Sequence, residues 1–388
     1  MLRIENKLRQ TISNRLLNSF KHNQVLELST GMGKTKLALD KINQLYSPNC
    51  KILIVIPRNV LIQNWIEEFK KWHYEDILSN VTFVTYVSLP KMAGSWDIVC
   101  FDECHHLSER CREAITEGFT SKHCLFLSAT ISKDVREFIH TYFKDTEWIN
   151  VNTRKAIESQ VLPDPKIILI PLQLDNTRAD CFYAPRKLKG DKPLIVPYAK
   201  KWEYKSYKGD YVLQCTQKQY YMELSGIIEW YKRKNFIPAM KNLWLHKAGE
   251  RLKWLSDQKL ETVLKLTSDI KSRKLVFCNT IEQSELLGFP CVNSKVGIDN
   301  LELFNKGKVN AISCVNMLDE GQNLHECPCG VFMSLNSSQR MQVQKVGRLL
   351  RHSDPVIYIP YFVGTREEEI VSKMIEGYNK DLISTMFI

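Results

Sequence analysis

The sequence contains no run of about 18 apolar residues, the length that a membrane-spanning helix needs. It begins with MLRIENKLRQ, which has no apolar stretch typical of a secretory signal peptide. Internal repeats and low-complexity tracts are absent as well. These absences predict a globular, cytoplasmic protein with no membrane partner.

Cysteine pairs with the C-x-x-C spacing of structural zinc sites are missing, although the chain has 12 cysteines. Two groups of histidines and cysteines stand close together in the sequence: Cys104, His105, His106, Cys111, His123 and Cys124, and further on His325, Cys327 and Cys329. Because neither group has the paired spacing, we expect no zinc site and interpret the cysteines as reduced thiols. An acid and base pair typical of a nuclease is also missing.

The composition excludes a disordered chain, because 44% of the residues are hydrophobic and 25% are charged. The length of 388 residues indicates two or three domains of about 150 residues each. The chain has 54 basic and 43 acidic residues, a formal net charge of +11. This charge favours a polyanionic partner, nucleic acid ahead of a membrane surface, although it is also compatible with a role in solubility alone.

Short apolar runs alternate with amphipathic segments in the first part of the chain. The predicted strands there are 24–28, 51–56, 81–85, 98–101 and 124–127. Helical patterns lie between them, for example at 34–45 and 60–72. This alternation predicts a parallel sheet with helices on both faces, the first lobe of an α/β protein at residues 1–152.

A second α/β lobe is predicted at residues 163–388. Its strands are 274–278, 311–314, 331–334 and 356–361, with 166–172 as an outlying strand. Inside this lobe, residues 217–270 have a helical pattern. Residues 175–210 are basic, aromatic and interrupted by proline and glycine, so we interpret them as an inserted loop or hairpin.

The strongest chemical motif is LSTGMGKT, which begins at Leu28, follows a predicted strand and opens a predicted helix. Gly31 and Gly33 let the backbone N–H groups turn toward phosphate oxygens, and the helix N-terminus adds positive potential. Lys34 is expected to contact the β- and γ-phosphates of a nucleotide, and Thr35 to hold Mg²⁺. Because Leu28 stands where the usual pattern has glycine, a glycine-rich helix start without a ligand is the alternative.

Two adjacent carboxylates end the predicted strand in the segment IVCFDECH. Burying such a pair is costly, because desolvation disfavours the charged form of each acid. Asp102 is expected to hold the Mg²⁺ ion, and Glu103 to orient and deprotonate the attacking water. Together with the phosphate loop, the pair predicts a nucleotide hydrolase.

With these two motifs in place, the sequence resembles the superfamily 2 helicases and translocases over most of its length. The matching segments, in family order, are STGMGKT, IVIPRNVLIQNW, DECH, SAT, LVFCNT, DEGQNL and QKVGRLLR. The DECHH and GRLLR sequences are most similar to the branch that holds XPB-like proteins, restriction-enzyme motor subunits and phage branch-migration helicases. The resemblance implies two tandem RecA-like lobes, each a parallel sheet flanked by helices.

The resemblance also implies that ATP is bound and hydrolysed between the lobes. The implied catalytic residues are Lys34, Asp102, Glu103, Gln344, Arg348 and Arg351, with the two arginines as arginine fingers. ATP and Mg²⁺ are expected at Gln10, Thr30, Gly31, Met32, Gly33, Lys34, Thr35, Asp102, Gly321 and Asn323. Gln10 is the candidate for reading adenine, and Asn323 stands where many relatives have an acid near the ribose. Coupling of hydrolysis to lobe movement is assigned to His105, Ser128 and Thr130.

Nucleic-acid contacts are implied by the same resemblance. Contacts to the sugar–phosphate backbone, which position a strand without reading its sequence, are expected at Pro57, Arg58, Thr85, Asn279, Thr280 and Asn316. The basic and aromatic tract at 186–208 has two interpretations. It is either an additional grip on nucleic acid, through Lys187, Lys200, Lys201 and Trp202, or a solvated basic loop.

The sequence therefore predicts an ATP-dependent DNA helicase or translocase that acts on forks, junctions or recombination intermediates. Two alternatives stay open: an RNA helicase, and a motor subunit that moves along duplex for a partner nuclease without unwinding it. A clamp without catalysis is disfavoured by the intact acidic and basic residues of the predicted ATP site. We expect a monomer, in a prokaryotic cell or a phage-infected host, that takes specificity from the insertion, the helical segment or a protein partner.

Overall fold

The computed structural model describes residues 7–183, 194–197, 211–293, 299–315, 327–336 and 338–388. These residues form two large parallel β-sheets flanked by helices, together with one small mixed sheet. The architecture confirms the predicted α/β fold with two RecA-like lobes. In these ranges no helix is both long enough and apolar enough to cross a bilayer.

The strands of the first lobe are β1 (Asn23–Leu28), β2 (Ile52–Ile56), β3 (Val81–Thr85), β4 (Gly94–Asp102), β5 (Phe119–Ser128) and β6 (Thr146–Val151). They are all parallel and lie in the order β3-β2-β4-β5-β1-β6. Strands β4, β5 and β1 are therefore neighbours. The residues that follow these three strands meet at one edge of the sheet, where α/β proteins bind their ligands.

The helices of this lobe are α1 (Lys7–Leu17), α2 (Lys34–Leu45), α3 (Leu61–Lys71), α4 (Glu109–Gly118), α5 (Lys133–Tyr142) and α6 (Thr153–Glu158). Apolar residues of α1, α2 and α3 share one core with Leu26 and Ile54, and those of α4 and α5 share another with Val25 and Val55. Because neighbouring strand residues point to opposite faces, each central strand supplies both cores. This is why β1 and β2 are buried along their whole length.

The second lobe begins with β7 (Lys166–Leu172), which a small sheet follows in sequence. That sheet contains β8 (Asp180–Tyr183), β9 (Leu194–Pro197) and β10 (Tyr211–Cys215), with β10 antiparallel to β8 and parallel to β9. The predicted insertion at 175–210 therefore contributes two strands. The rest of its basic tract, with Lys187, Lys200, Lys201 and Trp202, lies outside the described residues.

The segment predicted as helical at 217–270 folds into α7 (Gln217–Lys232), α8 (Pro238–Asp257) and α9 (Leu260–Asp269). Thr216 forms a capping box with Gln219 at the start of α7, which satisfies backbone N–H groups of the first turn. Pro238 stands in the first turn of α8, where its missing N–H costs no helical hydrogen bond.

The remaining strands of the second lobe are β11 (Lys274–Phe277), β12 (Cys291–Val292), β13 (Ala311–Cys314), β14 (Cys329–Val331), β15 (Val356–Phe362) and β16 (Ile383–Thr385). With β7 they form a parallel sheet in the order β12-β13-β11-β14-β15-β7-β16. Strand β7 thus lies one position in from the edge, because the unpredicted β16 pairs with its outer side. The helices of this lobe are α10 (Ile281–Leu286), α11 (Asp299–Asn305), α12 (Gln339–Leu349) and α13 (Arg366–Ile375).

A buried ion pair ties the helical segment to the end of this sheet. Lys259 Nζ lies 2.6 Å from Glu367 Oε1, and both side chains are fully buried. Lys259 also donates to the backbone oxygen of Pro360 at 3.2 Å, and Glu367 Oε2 accepts from the backbone N–H of Phe362 at 3.1 Å. Burial lowers the pKa of Lys259, while the Glu367 carboxylate opposes that shift. The pair fixes the turn between α8 and α9 against β15.

Breaking this pair from one side is expected to destabilise the protein strongly. Lys259→Met leaves the Glu367 carboxylate buried without its cation, which costs about 3–5 kcal/mol of the free energy of unfolding. The double variant Lys259→Met/Glu367→Leu is expected to recover most of that loss. Denaturant unfolding measures both, with Lys306→Met as the control, since the Lys306–Glu302 pair is exposed and is worth less than about 1 kcal/mol. A single variant as stable as the double one contradicts the prediction.

Candidate active site

The loop after β1 has the geometry of a phosphate-binding turn. Gly31 and Gly33 have φ angles of 88° and 86°, in the left-handed region that favours glycine. Gly33 immediately precedes α2, so the loop leads into the positive end of a helix. Lys34 Nζ donates to the backbone oxygen of Leu28 at 3.0 Å, which holds the ammonium group at this loop. Leu28 itself is fully buried, so its side chain serves the core of the sheet.

The two predicted acids stand at the end of β4. Trp65 Nε1 donates to Asp102 Oδ2 at 3.0 Å, and the Tyr86 hydroxyl donates to the backbone oxygen of Asp102 at 2.7 Å. Glu103 follows with a φ of 49°. Burial and the adjacent Glu103 charge raise the pKa of Asp102 to about 6. A cation next to such a carboxylate would favour its charged form.

The predicted coupling residues meet the predicted base around one hydroxyl group. Ser128 ends β5, and its Oγ lies 2.9 Å from His105 Nδ1 and accepts from the backbone N–H of Thr130 at 3.3 Å. His105 Nδ1 is also 3.3 Å from Glu103 Oε2. Glu103, His105, Ser128 and Thr130 therefore form one connected polar group beside Asp102. They meet because β4 and β5 are neighbours in the sheet.

A buried acid of β1, which the sequence analysis did not consider, holds this group in place. Glu27 Oε1 accepts from the backbone N–H of Ile131 at 3.1 Å, directly after the predicted coupling residues. Arg136 donates to both carboxylate oxygens at 2.9 and 2.8 Å, and Asn150 donates to Oε2 at 2.8 Å. The sequence signal is a lone glutamate in an otherwise apolar strand, QVLEL, which must find partners when buried.

Helix α12 brings the second lobe into contact with the phosphate loop. A Cβ at Gly347 would lie 2.4 Å from Thr30 Cβ, a separation that real Cβ atoms do not adopt. The neighbouring Arg348 is buried, whereas Arg351 is exposed. Gln344 lies one turn before Arg348 on the same helix. The close approach therefore depends on the absence of a side chain at Gly347.

One cleft of about 450 Å³ contains most of the predicted ATP site. The predicted residues that line it are Thr30, Gly31, Gly33, Lys34, Thr35, Asp102, Glu103, Arg348 and Arg351. The cleft thus combines the acids and the lysine of the first lobe with the two arginines of the second. This is the arrangement that phosphoryl transfer between two lobes requires.

Helix α3 supplies a wall of the cleft that the sequence analysis had not assigned to ATP. Trp65 and Glu68 line it, together with Trp72 just beyond the helix. Glu68 Oε2 accepts from Trp72 Nε1 at 2.8 Å, and its Oε1 lies 2.8 Å from Lys71 Nζ. Lys36 Nζ lies 4.6 Å from the centre of a Trp72 ring. The sequence signal for this wall is the helical spacing of acids and lysines in NWIEEFKKW.

The structure places one predicted ATP contact, Gln10, away from the cleft. Gln10 is exposed on α1 and donates to Asn14 Oδ1 at 2.8 Å, and it does not line the cleft. Its neighbour Arg9 instead donates to the backbone oxygen of Gly31 at 3.2 Å. The Met32 side chain is buried in the core, so the contact predicted for this residue can involve only its backbone. A helix turns adjacent residues about 100° apart, so a single position decides which side chain reaches the loop.

Three further predicted residues, Asn316, Gly321 and Asn323, lie outside the described residues. Within the described residues, the predicted nucleic-acid contacts stand at the carboxyl ends of parallel strands: Pro57 and Arg58 after β2, Thr85 in β3, and Asn279 and Thr280 after β11. Thr280 Oγ1 accepts from the backbone N–H of Gln283 at 3.3 Å, and Gln283 Oε1 accepts from the backbone N–H of Asn279 at 2.8 Å. This capping holds the loop after β11 in a fixed shape.

Comparison with known proteins gives a family match and a curated relative. Residues 4–133 match the family described as "Type III restriction enzyme, res subunit". The chain is 23% identical over 355 residues to the DNA 3'-5' translocase XPB2 of Sulfurisphaera tokodaii, an alignment that covers 85% of this chain and 75% of that protein.

Solved structures share the fold at low identity. S. cerevisiae Dbp5 bound to RNA and ADP BeF3 has a TM-score of 0.57 at 11% identity, covering 98% of this chain and 90% of that one. The Pyrococcus furiosus Hef helicase domain has a TM-score of 0.51 at 13% identity, covering 94% and 97%. The Type ISP restriction-modification enzyme LlaBIII bound to DNA has a TM-score of 0.54 at 13% identity, covering 98% of this chain and 31% of that one.

The family match spans the phosphate loop and both acids, while the solved structures extend the likeness in fold to the second lobe with its arginines. The ordered motifs, the paired RecA-like lobes and the restriction-enzyme match together support an ATPase of the superfamily 2 helicase and translocase type.

Proposed function

We propose that this chain couples ATP hydrolysis between its two lobes to movement along DNA, as a translocase or helicase. The observation that carries the proposal is the single cleft lined by the acids of one lobe and the arginines of the other. Movement on DNA is supported by the curated relative, whose name is that of a DNA translocase, and by LlaBIII, which was solved bound to DNA. RNA is the alternative substrate that the experiment below must test.

In this mechanism the first lobe binds the triphosphate. Lys34 contacts the β- and γ-phosphates, and the N–H groups at the start of α2 surround their oxygens. The Thr35 hydroxyl and the Asp102 carboxylate suit Mg²⁺, which prefers oxygen ligands and completes its shell with phosphates and water. In the described residues no cluster of three His, Cys, Asp or Glu side chains could hold a metal alone. When bound, Mg²⁺ would screen the phosphate charge.

Glu103 acts as the base that orients the attacking water and takes its proton. Its carboxylate lies 3.3 Å from His105 Nδ1 and 3.4 Å from Ser128 Oγ, so its position depends on the coupling group. Arg348 and Arg351 stabilise the negative charge that develops on the transferred phosphoryl group. Because these arginines belong to the second lobe, hydrolysis is fast when the lobes are closed.

Closing and opening of the cleft then move the nucleic acid. Arg58 and Thr85 in the first lobe, and Asn279 and Thr280 in the second, hold the sugar–phosphate backbone at two places. A change in the distance between the lobes changes the length of backbone between the two grips. The basic tract at 186–208 would add phosphate contacts that do not depend on sequence.

A second candidate is a motor subunit that moves along duplex for a partner nuclease. The match to a restriction-enzyme subunit family favours it, because the chain itself has no nuclease motif. We further propose a monomer in the cytoplasm of a prokaryotic cell or a phage-infected host, acting on forks, junctions or recombination intermediates. In either candidate the ATP chemistry is the same, and the candidates differ in whether strands separate.

The test of the proposed function is ATP hydrolysis against a panel of nucleic acids. Single-stranded, duplex and forked DNA and matched RNAs are added to the purified chain, and phosphate release is measured at several salt concentrations. We expect DNA to raise the rate, and the effect to fall steeply as salt rises, since phosphate contacts release counterions. Stimulation by RNA alone would assign the chain to RNA, and a rate that no nucleic acid changes would exclude a motor.

Substitution of Lys34 and Glu103 is expected to separate ATP binding from hydrolysis. Lys34→Ala removes the phosphate-binding ammonium and should abolish both. Glu103→Gln keeps the shape but cannot take a proton, so it should retain ATP while hydrolysis falls roughly 10²–10⁴-fold. Binding of a fluorescent ATP analogue and phosphate release measure the two effects. Lys133→Ala, at an 89% exposed side chain of α5, serves as control. Parental hydrolysis by Glu103→Gln would rule out Glu103 as the base.

Adding a single methyl group at Gly347 is expected to hold the lobes apart. In Gly347→Ala the new Cβ meets Thr30 at 2.4 Å, so α12 must retreat and carry Arg348 away from the phosphates. We expect slower hydrolysis with ATP binding to the first lobe largely retained. Gly226→Ala is the matched control, because that helical position has open space around it. Hydrolysis at the parental rate in Gly347→Ala would mean that the lobes do not need this approach.

A further inference from the structure

The turn that joins α7 and α8 exposes a group of large apolar side chains. We call residues 229–245 the helical tip. Its exposed apolar residues are Trp230, Phe236, Ile237, Leu243 and Leu245. Phe236 is 78% exposed and Trp230 is 50% exposed. Apolar side chains concentrated at one end of a projecting element are typical of a binding site, because solvation of such a group is unfavourable.

The same tip is strongly basic. Lys232, Arg233, Lys234 and Lys241 are all exposed, and Glu229 is the one acid in the segment EWYKRKNFIPAMKNLWL. Lys234 Nζ lies 4.0 Å from the centre of a Trp230 ring, a cation–π contact that holds a positive charge against the aromatic face. Basic groups interleaved with exposed aromatic rings suit a partner that has phosphates and flat bases. Glu229 lies 3.6 Å from Lys232 and 4.0 Å from Arg233, and the single acid leaves the tip with an excess of positive charge that suits an anionic partner.

The tip is presented on a stiff support. Helices α7 and α8 pack antiparallel: the Tyr220 and Trp254 rings lie 5.0 Å apart at a tilt of 56°, and Arg251 donates to Ser225 Oγ at 2.9 Å. The turn itself is closed by backbone hydrogen bonds, including the one from the Ile237 N–H to the oxygen of Lys234 at 3.1 Å. With 20 residues, α8 extends about 30 Å from base to tip.

The base of this support is joined to the proposed nucleic-acid contacts of the second lobe. Asp257, the last residue of α8, accepts from Gln283 Nε2 at 2.6 Å. Gln283 in turn accepts from the backbone N–H of Asn279. On the other helix, the Tyr221 hydroxyl accepts from the backbone N–H of Arg366 at 2.7 Å. The proposed contact at Asn279 and the helical tip therefore belong to one rigid unit.

We propose that the helical tip binds unpaired nucleotides where a duplex opens, and so separates the strands. Trp230 and Phe236 stack on the exposed faces of bases, while Lys232, Arg233 and Lys241 contact the phosphates. Bases inside a duplex stack on each other and offer no free face, so duplex DNA engages the basic groups without the rings. This proposal rests on the proposed function, because it names the form of nucleic acid that the motor grips.

The experiment compares the parent with the double variant Trp230→Ala/Phe236→Ala, which keeps every charge of the tip. The probes are a forked DNA with two unpaired arms, a blunt duplex and a single strand of matched sequence. Dissociation constants, DNA-stimulated ATP hydrolysis and the rate of fork separation are measured for each. We expect affinity for the fork and the single strand, and the rate of separation, to fall by about tenfold or more, since each stacked base is worth a large factor in binding. Duplex affinity and duplex-stimulated hydrolysis should not change.

Phe20→Ala is the matched control, because Phe20 is 99% exposed in the first lobe, away from the tip, and its removal should change none of these measurements. Unchanged fork binding and separation in the double variant would overturn the proposal, as would an equal loss on all three DNAs. Self-association of the parent that the double variant loses, with fork binding intact, would assign the tip to a second copy of the chain. A parent whose hydrolysis no DNA stimulates would refute the proposed function, while fork binding would still test the tip.

Discussion

The contact between Gly347 and Thr30 determines how closely the two lobes approach each other. The space at Gly347 is too small for a Cβ, and the next residue on α12 is Arg348, so this contact also fixes where the guanidinium stands relative to the phosphate loop. On the other side of the loop, Leu162 from the connection between the lobes approaches the Cβ position of Gly31 to 3.1 Å. The loop is therefore enclosed between the second lobe and the connection, and Gly31 serves packing as well as the turn of the phosphate loop.

The charges of the cleft are divided between the lobes in a way that makes closure depend on the nucleotide. The first lobe contributes Asp102 and Glu103 beside Lys34, and burial together with the neighbouring acid already raises the pKa of Asp102 to about 6. The second lobe contributes two arginines. In the proposed mechanism the triphosphate is the anion that attracts both arginines, so loss of the γ-phosphate weakens the attraction and favours opening. In this mechanism, hydrolysis changes the distance between the lobes directly, because it removes the charge that attracts the arginines.

The parts that could be predicted from the sequence are those in which chemistry or periodicity is local. The phosphate loop and the acidic pair are each contained in a short stretch of sequence. They follow strands β1 and β4 of one parallel sheet, so they meet at the edge where its strands end. The position of Trp65 against Asp102 depends on how α3 packs across the sheet, which no local pattern states. Gln10 and Arg9 differ by one position on a helix, so a motif match could not decide which one faces the loop. Strand β16 has three residues, too few to show an alternating pattern.

The rigidity of the α7–α8 pair gives the proposed strand separation a mechanical basis. Because its base is bonded through Gln283 to the loop of Asn279, the tip moves whenever the second lobe rotates. At the end of a lever about 30 Å long, a rotation of about 6.5° displaces the tip by the roughly 3.4 Å that separates neighbouring nucleotides along a strand. A small closure at Gly347 is therefore sufficient to advance the aromatic residues by one base. A flexible tip would absorb the same rotation, so the hydrogen-bonded turn is what allows the ATP cleft and the junction to act together.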